Sequence, residues 1–174
     1  MTTVAACAAA AAATGSVPLT LGVAAGGFFI DVDHAVDYVL FDRQRDLRPA
    51  AFLRYYVEGR MRRVVLALHS YELLALLGAV AWWSGAVPLW GYLIGALMHL
   101  ALDLSFNGES VPTSIVAFYS FAYRAAHRFD ARRLLGGPRV APTGFWPAFF
   151  AVPTAVARWR KAARLSSRPI VPGP

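Results

Sequence analysis

The chain has 174 residues, of which 57% are hydrophobic and 16% are charged, and its formal net charge is +7. Soluble domains average about 25% charged residues, so this composition excludes an ordinary soluble domain and favours an integral membrane protein. The single cysteine, Cys7, excludes an intramolecular disulfide and a thiolate metal cluster.

The 17 basic residues fall in three blocks, residues 43–63, 124–139 and 158–168. Basic blocks separated by apolar stretches are typical of the positive-inside rule, in which lysine and arginine stay on the cytoplasmic side. We therefore expect membrane lipids as partners, with anionic headgroups meeting the arginine blocks. The pattern argues against nucleic-acid binding, because basic and aromatic residues do not alternate on a soluble face. The oligomeric state is left open.

The first apolar segment runs from Val4 to Ile30 and is interrupted at residues 14–18. About 20 residues cross a bilayer core, so one tilted span is consistent with this length. Two shorter helices are equally consistent, because Pro18 suits the first turn of a second helix. The side of the N-terminus stays open, and the alanine run of residues 1–13 is expected to be a retained membrane segment, since it lacks a basic n-region.

Residues 31–37, Asp-Val-Asp-His-Ala-Val-Asp, follow directly. Carboxylates and imidazoles are ligands for hard or borderline divalent cations. The stretch is therefore either part of a metal site or a polar helix end at a membrane surface. For Asp37 taken alone, a solvated helix end is favoured.

Residues 50–63 alternate apolar and cationic side chains and predict an interfacial amphipathic helix. Residues 64–83 predict a transmembrane helix, with Trp82 and Trp83 in an aromatic belt at its far end. A short loop and Pro88 then lead into a second span ending near Phe106, so the two spans form an antiparallel hairpin. Gly91, Gly95 and Ala96 give this second span a narrow surface for a neighbouring helix.

The rest of the chain gives weaker signals. Residues 107–112 predict a loop, and the aromatic-rich residues 113–129 either dip into the membrane or lie on it. Residues 144–159 are apolar but broken by prolines, and residues 166–174 predict a disordered tail. Together the pattern predicts an all-α, polytopic membrane protein with three to five membrane helices in a single domain over residues 1–165.

Two spans carry ionisable residues on one helix face. His69 and Glu72 are spaced i, i+3, and His99 and Asp103 are spaced i, i+4. At about 1.5 Å per residue, the two histidines lie about 9 and 12 Å from the same surface, and residues 31–34 belong to that side too. Each pair alone is equally well explained by helix packing. Together, at one depth, they favour a metal or catalytic site, because an unpaired charge within lipid costs at least about 2.5 kcal/mol.

Other polar residues near this level have simpler explanations. His127 lies among basic residues and is interpreted as interfacial, and Asn107 and Glu109 are interpreted as loop residues that could make outer contacts. Between residues 73 and 97 there is no carboxylate, imidazole or basic side chain. A one-sided pocket is therefore favoured over a transport path.

The chain resembles a family of predicted membrane-bound metal-dependent hydrolases of bacterial and archaeal inner membranes. The resemblance covers residues 20–115, and the matching motifs are Ile30-Asp31-Val32-Asp33-His34, His69-Ser70, and residues 91–112 with His99, Asp103, Gly108 and Pro112. It implies metal ligation by six residues: Asp31, Asp33, His34, His69, His99 and Asp103.

We therefore expect a metal-dependent hydrolase of the prokaryotic inner membrane, open to the cytoplasmic face, that acts on a lipid or other amphiphilic phosphoester or ester. One or two divalent cations, with zinc favoured over manganese or magnesium, would activate water and the scissile group. Glu72 or Asp31 would accept the proton. Arg62 and Arg63 would attract an anionic headgroup. The alternative is a non-enzymatic membrane protein whose cluster binds metal, relays protons or fixes helix packing.

Overall fold

The computed structural model describes residues 2–107, 114–137 and 141–150, and within these ranges every regular element is a helix. The chain divides into two compact units, Met1–Arg139 and Val140–Pro174. In the second unit the described part contains a short helix, α10 (Phe145–Phe150). The tail 166–174 lies outside the described residues, and a single domain over residues 1–165 stays a prediction.

The first unit is built from two hairpins of apolar helices. Helices α1 (Thr2–Thr14) and α2 (Val17–Phe28) are joined through Gly15, whose positive φ of 62° suits a residue without a side chain. The Ser16 side chain accepts a hydrogen bond from Leu19 N and caps α2. The apolar segment from Val4 to Ile30 is thus two helices rather than one tilted span.

The second hairpin joins α5 (Tyr71–Ser84) to α6 (Val87–Phe106) through Gly85, which also has a positive φ. Helix α6 covers the predicted second span, so the predicted hairpin is confirmed at this turn. Trp82 and Trp83 lie beside the turn and are 80% and 88% exposed. Exposed tryptophans at a helix end are typical of a membrane interface.

Helix α2 continues without a break towards one end of the first unit, where the acidic stretch 31–37 and the last turn of α6 lie; this is the polar end of the unit. A 3₁₀ turn (Phe29–Asp31), helix α3 (Val32–Val36) and a π-helical turn (Asp37–Phe41) extend it to residue 41. By length and composition, Val17–Phe41 and Val87–Phe106 are two helices able to cross a membrane, whereas α1 and α5 are shorter. Among the described residues, two of the expected three to five spans therefore reach the necessary length.

Helices α2 and α6 run parallel and touch through their backbones. A Cβ atom on Gly26 would lie 2.0 Å from Tyr92 O, and one on Gly91 would lie 2.2 Å from Leu19 O. Gly22 and Gly95 are equally tight against the opposite backbone. The narrow surface predicted on α6 is thus matched by a second glycine pair on α2, which lets the two helix ends meet closely at the polar end.

The segment before α5 is not helical, so the prediction of a helix starting at Val64 is wrong. Helix α4 (Pro49–Val57) ends before residue 58, and residues 60–70 form an irregular segment in which Leu66 has a positive φ of 43°. Ser70 caps α5 by accepting a hydrogen bond from Leu73 N. His69 and Glu72 therefore do not share a helix face.

Three short helices complete the polar end: α7 (Ile115–Phe118), α8 (Phe121–Ala126) and α9 (Ala131–Leu135). The segment leading into α9 pairs with the irregular segment through an isolated antiparallel bridge between Arg63 and Asp130. Arg124 of α8 and the residues around Asp130 contact the irregular segment directly.

A candidate metal centre at the polar end

Three carboxylates hold the irregular segment by its backbone amides. Each accepts hydrogen bonds from two neighbouring N–H groups at 2.7–3.2 Å: Asp42 from Arg62 and Arg63, Asp37 from Val65 and Leu66, and Asp33 from Leu68 and His69. Buried amides must find such partners, and these bonds replace those of the predicted helix. Asp37 is 2% exposed, so its interpretation as a solvated helix end is wrong.

Arg124 holds the same segment by its backbone carbonyl groups. Its guanidinium is fully buried and donates to the carbonyl oxygens of Val65, Leu66, His69 and Phe118 at 2.6–3.3 Å. The sequence places Arg124 in a basic block expected at lipid headgroups, and this expectation is wrong for this residue. The planar guanidinium has five donors, so a single side chain satisfies four carbonyls.

His69 is the most enclosed group of the candidate site, with 1% of its surface exposed. Its Nδ1 lies 3.0 Å from both oxygens of Asp33. Its Nε2 is buried and has no hydrogen-bond partner. A histidine whose one nitrogen is fixed by a carboxylate while the other is free has the orientation of a metal ligand.

His99 is oriented in the same way from α6. Its Nδ1 lies 3.1 Å from the carbonyl oxygen of Gly27, at the end of α2. Its Nε2 therefore points towards the carboxylates. On the next turn of α6, Asp103 Oδ1 accepts a hydrogen bond from Asn107 Nδ2 at 3.1 Å, which leaves Oδ2 directed at the two imidazoles. The predicted shared face of His99 and Asp103 is present.

Four free ligand atoms converge between these elements. Asp31 Oδ1 lies 3.4 Å from His99 Nε2 and 3.5 Å from His69 Nε2, and Asp103 Oδ2 lies 3.7 and 3.6 Å from the same nitrogens. Neighbouring ligands of a tetrahedral zinc ion, each about 2.1 Å from the metal, are about 3.4 Å apart. The trio Asp31, His69 and His99, whose ligand atoms all lie within 4.8 Å of one another, is therefore geometrically able to hold a divalent cation, and Asp103 Oδ2 lies beside it.

His34 lies at the edge of this cluster, with Nε2 3.8 Å from Asp31 Oδ1. A second trio, Asp33, His34 and His69, also has ligand atoms within 4.8 Å of one another. In that trio, however, Asp33 already accepts from two amides and from His69. Asp33 therefore orients His69, and the candidate ligand set is Asp31, His69 and His99, with Asp103 beside them.

The electrostatics of the cluster favour positive charge at its centre. Burial by itself lowers the pKa of His69, but the neighbouring carboxylates of Asp31 and Asp33 outweigh burial and raise this pKa to about 9. The negative potential that attracts a proton to this nitrogen attracts a metal cation to the same place.

A cavity of about 490 Å³ opens beside the cluster. Polar groups of the cluster, including His34 and Asp103, line one part of its wall. Most of the remaining wall is apolar or aromatic, and Arg63 also reaches the lining; the apolar and aromatic members are Tyr56, Val57, Met61, Val64, Leu66, Ile115, Phe118, Tyr119 and Leu135. The volume lies within the range of small-ligand sites, and the two kinds of wall suit an amphiphile.

The structure does not bring Glu72 to this cavity. Its carboxylate instead accepts hydrogen bonds from Ser120 Oγ at 2.6 Å, Phe121 N at 2.8 Å and Ala122 N at 3.1 Å, at the start of α8. Its expected role as proton acceptor therefore has no support from its contacts. Glu109 lies outside the described residues, and His127 Nδ1 contacts Tyr123 O, away from the cluster.

Sequence reasoning missed the groups that position the ligands. Asp42 and Arg124 look like ordinary members of charged stretches, and their partners in the irregular segment lie 20 or more residues away along the chain. Ser70 was the one local signal, since serine is a favoured N-cap and marks the true start of α5.

Over the described residues, fold and site together define an all-helical protein with two helices long enough to cross a membrane and a histidine and aspartate cluster able to hold a metal ion. No family model, curated protein or solved structure matches the chain. The likeness to membrane-bound metal-dependent hydrolases therefore stays a prediction.

Proposed function

We propose that this protein is a zinc-dependent hydrolase of the prokaryotic inner membrane that cleaves an amphiphilic phosphoester or ester. The observation that carries the proposal is the buried, unpartnered Nε2 of His69. An orphaned buried polar atom is unfavourable by about 1–3 kcal/mol. A cation held by Asp31, His69 and His99, with Asp103 beside them, removes this penalty, and a mixed set of imidazole and carboxylate ligands favours zinc over magnesium or manganese.

The chain's own residues divide the chemical work. Zinc supplies Lewis-acid activation of water and of the scissile group. Asp33 and the Gly27 carbonyl keep both imidazoles turned with Nε2 towards the ligand centre. His34 borders the cavity beside Asp31 and is the imidazole that we assign to proton transfer, in place of Glu72.

The proposed placement in the membrane rests on the exposed apolar helices and on the arginines beside the cavity. The apolar exposed surface of residues 17–41 and of α6 faces lipid in this proposal, and the first arginine block lies next to the cavity through Arg63. Basic blocks stay cytoplasmic, so the cavity opens to the cytoplasmic surface. A substrate would enter from that surface or from the adjoining leaflet.

Metal analysis of the full chain, purified in detergent, tests the proposal. We expect about one zinc per chain in the wild type and a loss of most of it in the His69→Ala, His99→Ala double variant. His127→Ala is the matched control, because His127 contacts Tyr123 O and not the cluster. Equal metal content in the wild type and the double variant would overturn the proposal.

Turnover separates catalysis from binding. Zinc-loaded wild type should hydrolyse a short-chain phosphoester or ester, and His34→Gln should lower kcat while retaining the metal. Retained zinc without turnover of any such substrate would instead favour the alternative, a non-enzymatic metal-binding membrane protein. That alternative is supported by the same ligand geometry.

A further inference from the structure

A second, strongly basic cavity adjoins the first. It has a volume of about 420 Å³, and its lining contains four arginines and one carboxylate: Arg60, Met61, Arg62, Arg63, Asp130 and Arg132. Arg63 and Met61 line both cavities. The basic cavity is therefore continuous with the wall of the candidate metal site rather than a separate patch.

We call the basic cavity, with Arg60, Arg62, Arg63 and Arg132, the arginine annex. Backbone hydrogen bonds hold the chain around it. Asp42 accepts hydrogen bonds from the amides of Arg62 and Arg63. Val64 N donates to Phe129 O at 2.9 Å, and Ala131 N donates to Arg62 O at 3.1 Å. These bonds fix Arg62 and Arg63 beside Arg132 at the start of α9. A basic site on a fixed backbone is better preorganised than a mobile loop.

Most of the positive charge in the annex is not neutralised. Arg60 pairs with Glu58, and Asp130 binds the amide of Arg132 and approaches the Arg133 side chain. Within the described ranges, no salt bridge joins Arg62, Arg63 or Arg132 to a carboxylate. All three are exposed. Guanidinium groups bind phosphate oxygens in a bidentate manner, so three of them around one cavity favour a phosphate group as ligand.

We propose that the annex binds the phosphate group of an anionic amphiphile whose apolar part occupies the neighbouring cavity. This inference rests on the proposed hydrolase function for the chemical role of the ligand, and it narrows the substrate class to phosphate-bearing lipids. Arg63 lies at the junction of the two cavities and is the specificity-determining residue. The apolar wall of the first cavity gives the lipid form its advantage over free phosphate.

Binding to the purified full-length protein in detergent tests this assignment. The probes are a short-chain phosphatidic acid, the diacylglycerol with the same chains, and inorganic phosphate. Calorimetry measures the Kd of each. We expect phosphatidic acid to bind most tightly and the Arg62→Gln, Arg63→Gln, Arg132→Gln variant to weaken its binding at least about tenfold, the loss expected for one charge-assisted hydrogen bond. The bound zinc should not change.

A matched triple variant controls for general charge. Arg43→Gln, Arg45→Gln, Arg48→Gln removes the same number of charges from exposed positions in another part of the polar end and should leave Kd within about twofold. Equal weakening in both triple variants would overturn the annex as a site. Equal affinity for inorganic phosphate and phosphatidic acid would support the phosphate site and overturn the amphiphilic class.

The two proposals fail separately. One outcome is purified protein that contains no zinc but whose binding of phosphatidic acid still depends on the three annex arginines. That outcome would overturn the hydrolase function and support the annex. Chains with zinc whose binding of phosphatidic acid ignores the annex variant would overturn only the annex. The arginine side chains are exposed, so their replacement leaves the backbone bonds of the segment in place.

Discussion

Two regions of the molecule approach the candidate metal centre, and they are held together by opposite means. The crossing of α2 and α6 contains glycines whose missing side chains allow backbone contact, and it positions His99 against Gly27. The irregular segment that carries His69 is held by three carboxylates and one guanidinium acting on backbone groups. The first region depends on shape and the second on charge.

This difference predicts which substitutions each region tolerates. The helix crossing should accept changes of polarity but no added volume, because its contacts are already at van der Waals limits. The irregular segment should accept changes of apolar size but no loss of its charged side chains, because each of them bonds buried backbone groups that would otherwise be unpaired. The ligands meet only if both regions keep their form.

The largest expected effect is that of Arg124→Met. Methionine keeps the apolar stem of the side chain but leaves four buried carbonyl oxygens without their donor, which should lower the free energy of unfolding by about 3–5 kcal/mol, since each unsatisfied group costs about 1–3 kcal/mol. Thermal unfolding in detergent measures this loss. Arg133→Met is the control, because Arg133 is 61% exposed and contacts Asp130 only at 4.0 Å. Equal effects of the two variants would contradict a charge-held segment.

Gly26→Ala should have the next largest effect. Its Cβ would lie 2.0 Å from Tyr92 O, so the helices must separate, at a cost of about 1–3 kcal/mol. Gly78→Ala is the matched control within a helix, since its Cβ would lie 3.5 Å from Leu93 Cδ2, an ordinary contact. Alanine is favoured over glycine in helices by about 0.5–1 kcal/mol, so the control should be neutral or stabilising. A stable Gly26→Ala protein would show that the crossing tolerates volume.

Asp33→Asn tests whether Asp33 sets the tautomer of His69. An asparagine can still accept from the amides of Leu68 and His69, but its NH₂ group would donate to His69 Nδ1 and move the proton of the ring to Nε2. Zinc affinity, measured by chelator competition, should then fall about 10–100-fold.

Asp37→Asn is the control for this variant. Asp37 holds the next two amides of the same segment but does not contact the His69 ring. It should change stability while zinc affinity stays within about threefold. If both variants lose the metal equally, Asp33 acts through the segment as a whole rather than through the tautomer of His69.

The helix crossing could be predicted from sequence in large part, and the irregular segment could not. Apolar runs, Pro18, Pro88 and the small residues of α6 are local signals for local structure. Residues 64–70 are as apolar as a span, so periodicity predicts a helix there. Asp33 and Asp37 accept tertiary hydrogen bonds from this segment and Arg124 donates to it, and these bonds override its helix propensity. No local sequence pattern indicates them.

Part of the geometry predicted for the site is wrong, although the predicted convergence of its residues is present. The level of His69 was calculated along a helix that does not exist, yet its convergence with His99 and Asp31 is present. These residues converge because α2 ends, α6 ends and α5 begins at the same end of the unit. Residue chemistry was thus easier to predict than role, since Asp33 turns out to orient a ligand and Glu72 lies elsewhere.

Glu72→Gln should have the smallest effect and tests that last distinction. Glu72 accepts from Ser120 and two amides at the start of α8, where it is solvent-exposed, so its charge should contribute about 1 kcal/mol or less to stability. Zinc content and any turnover should equal those of the wild type. Asp31→Asn is the opposite case, because it removes a ligand charge from a half-exposed position, and it should lose zinc together with the stabilisation that bound zinc gives the folded chain. Loss of turnover in Glu72→Gln with zinc still bound would restore Glu72 as the proton acceptor, and the cavity beside His34 would then no longer be the place where the reaction occurs.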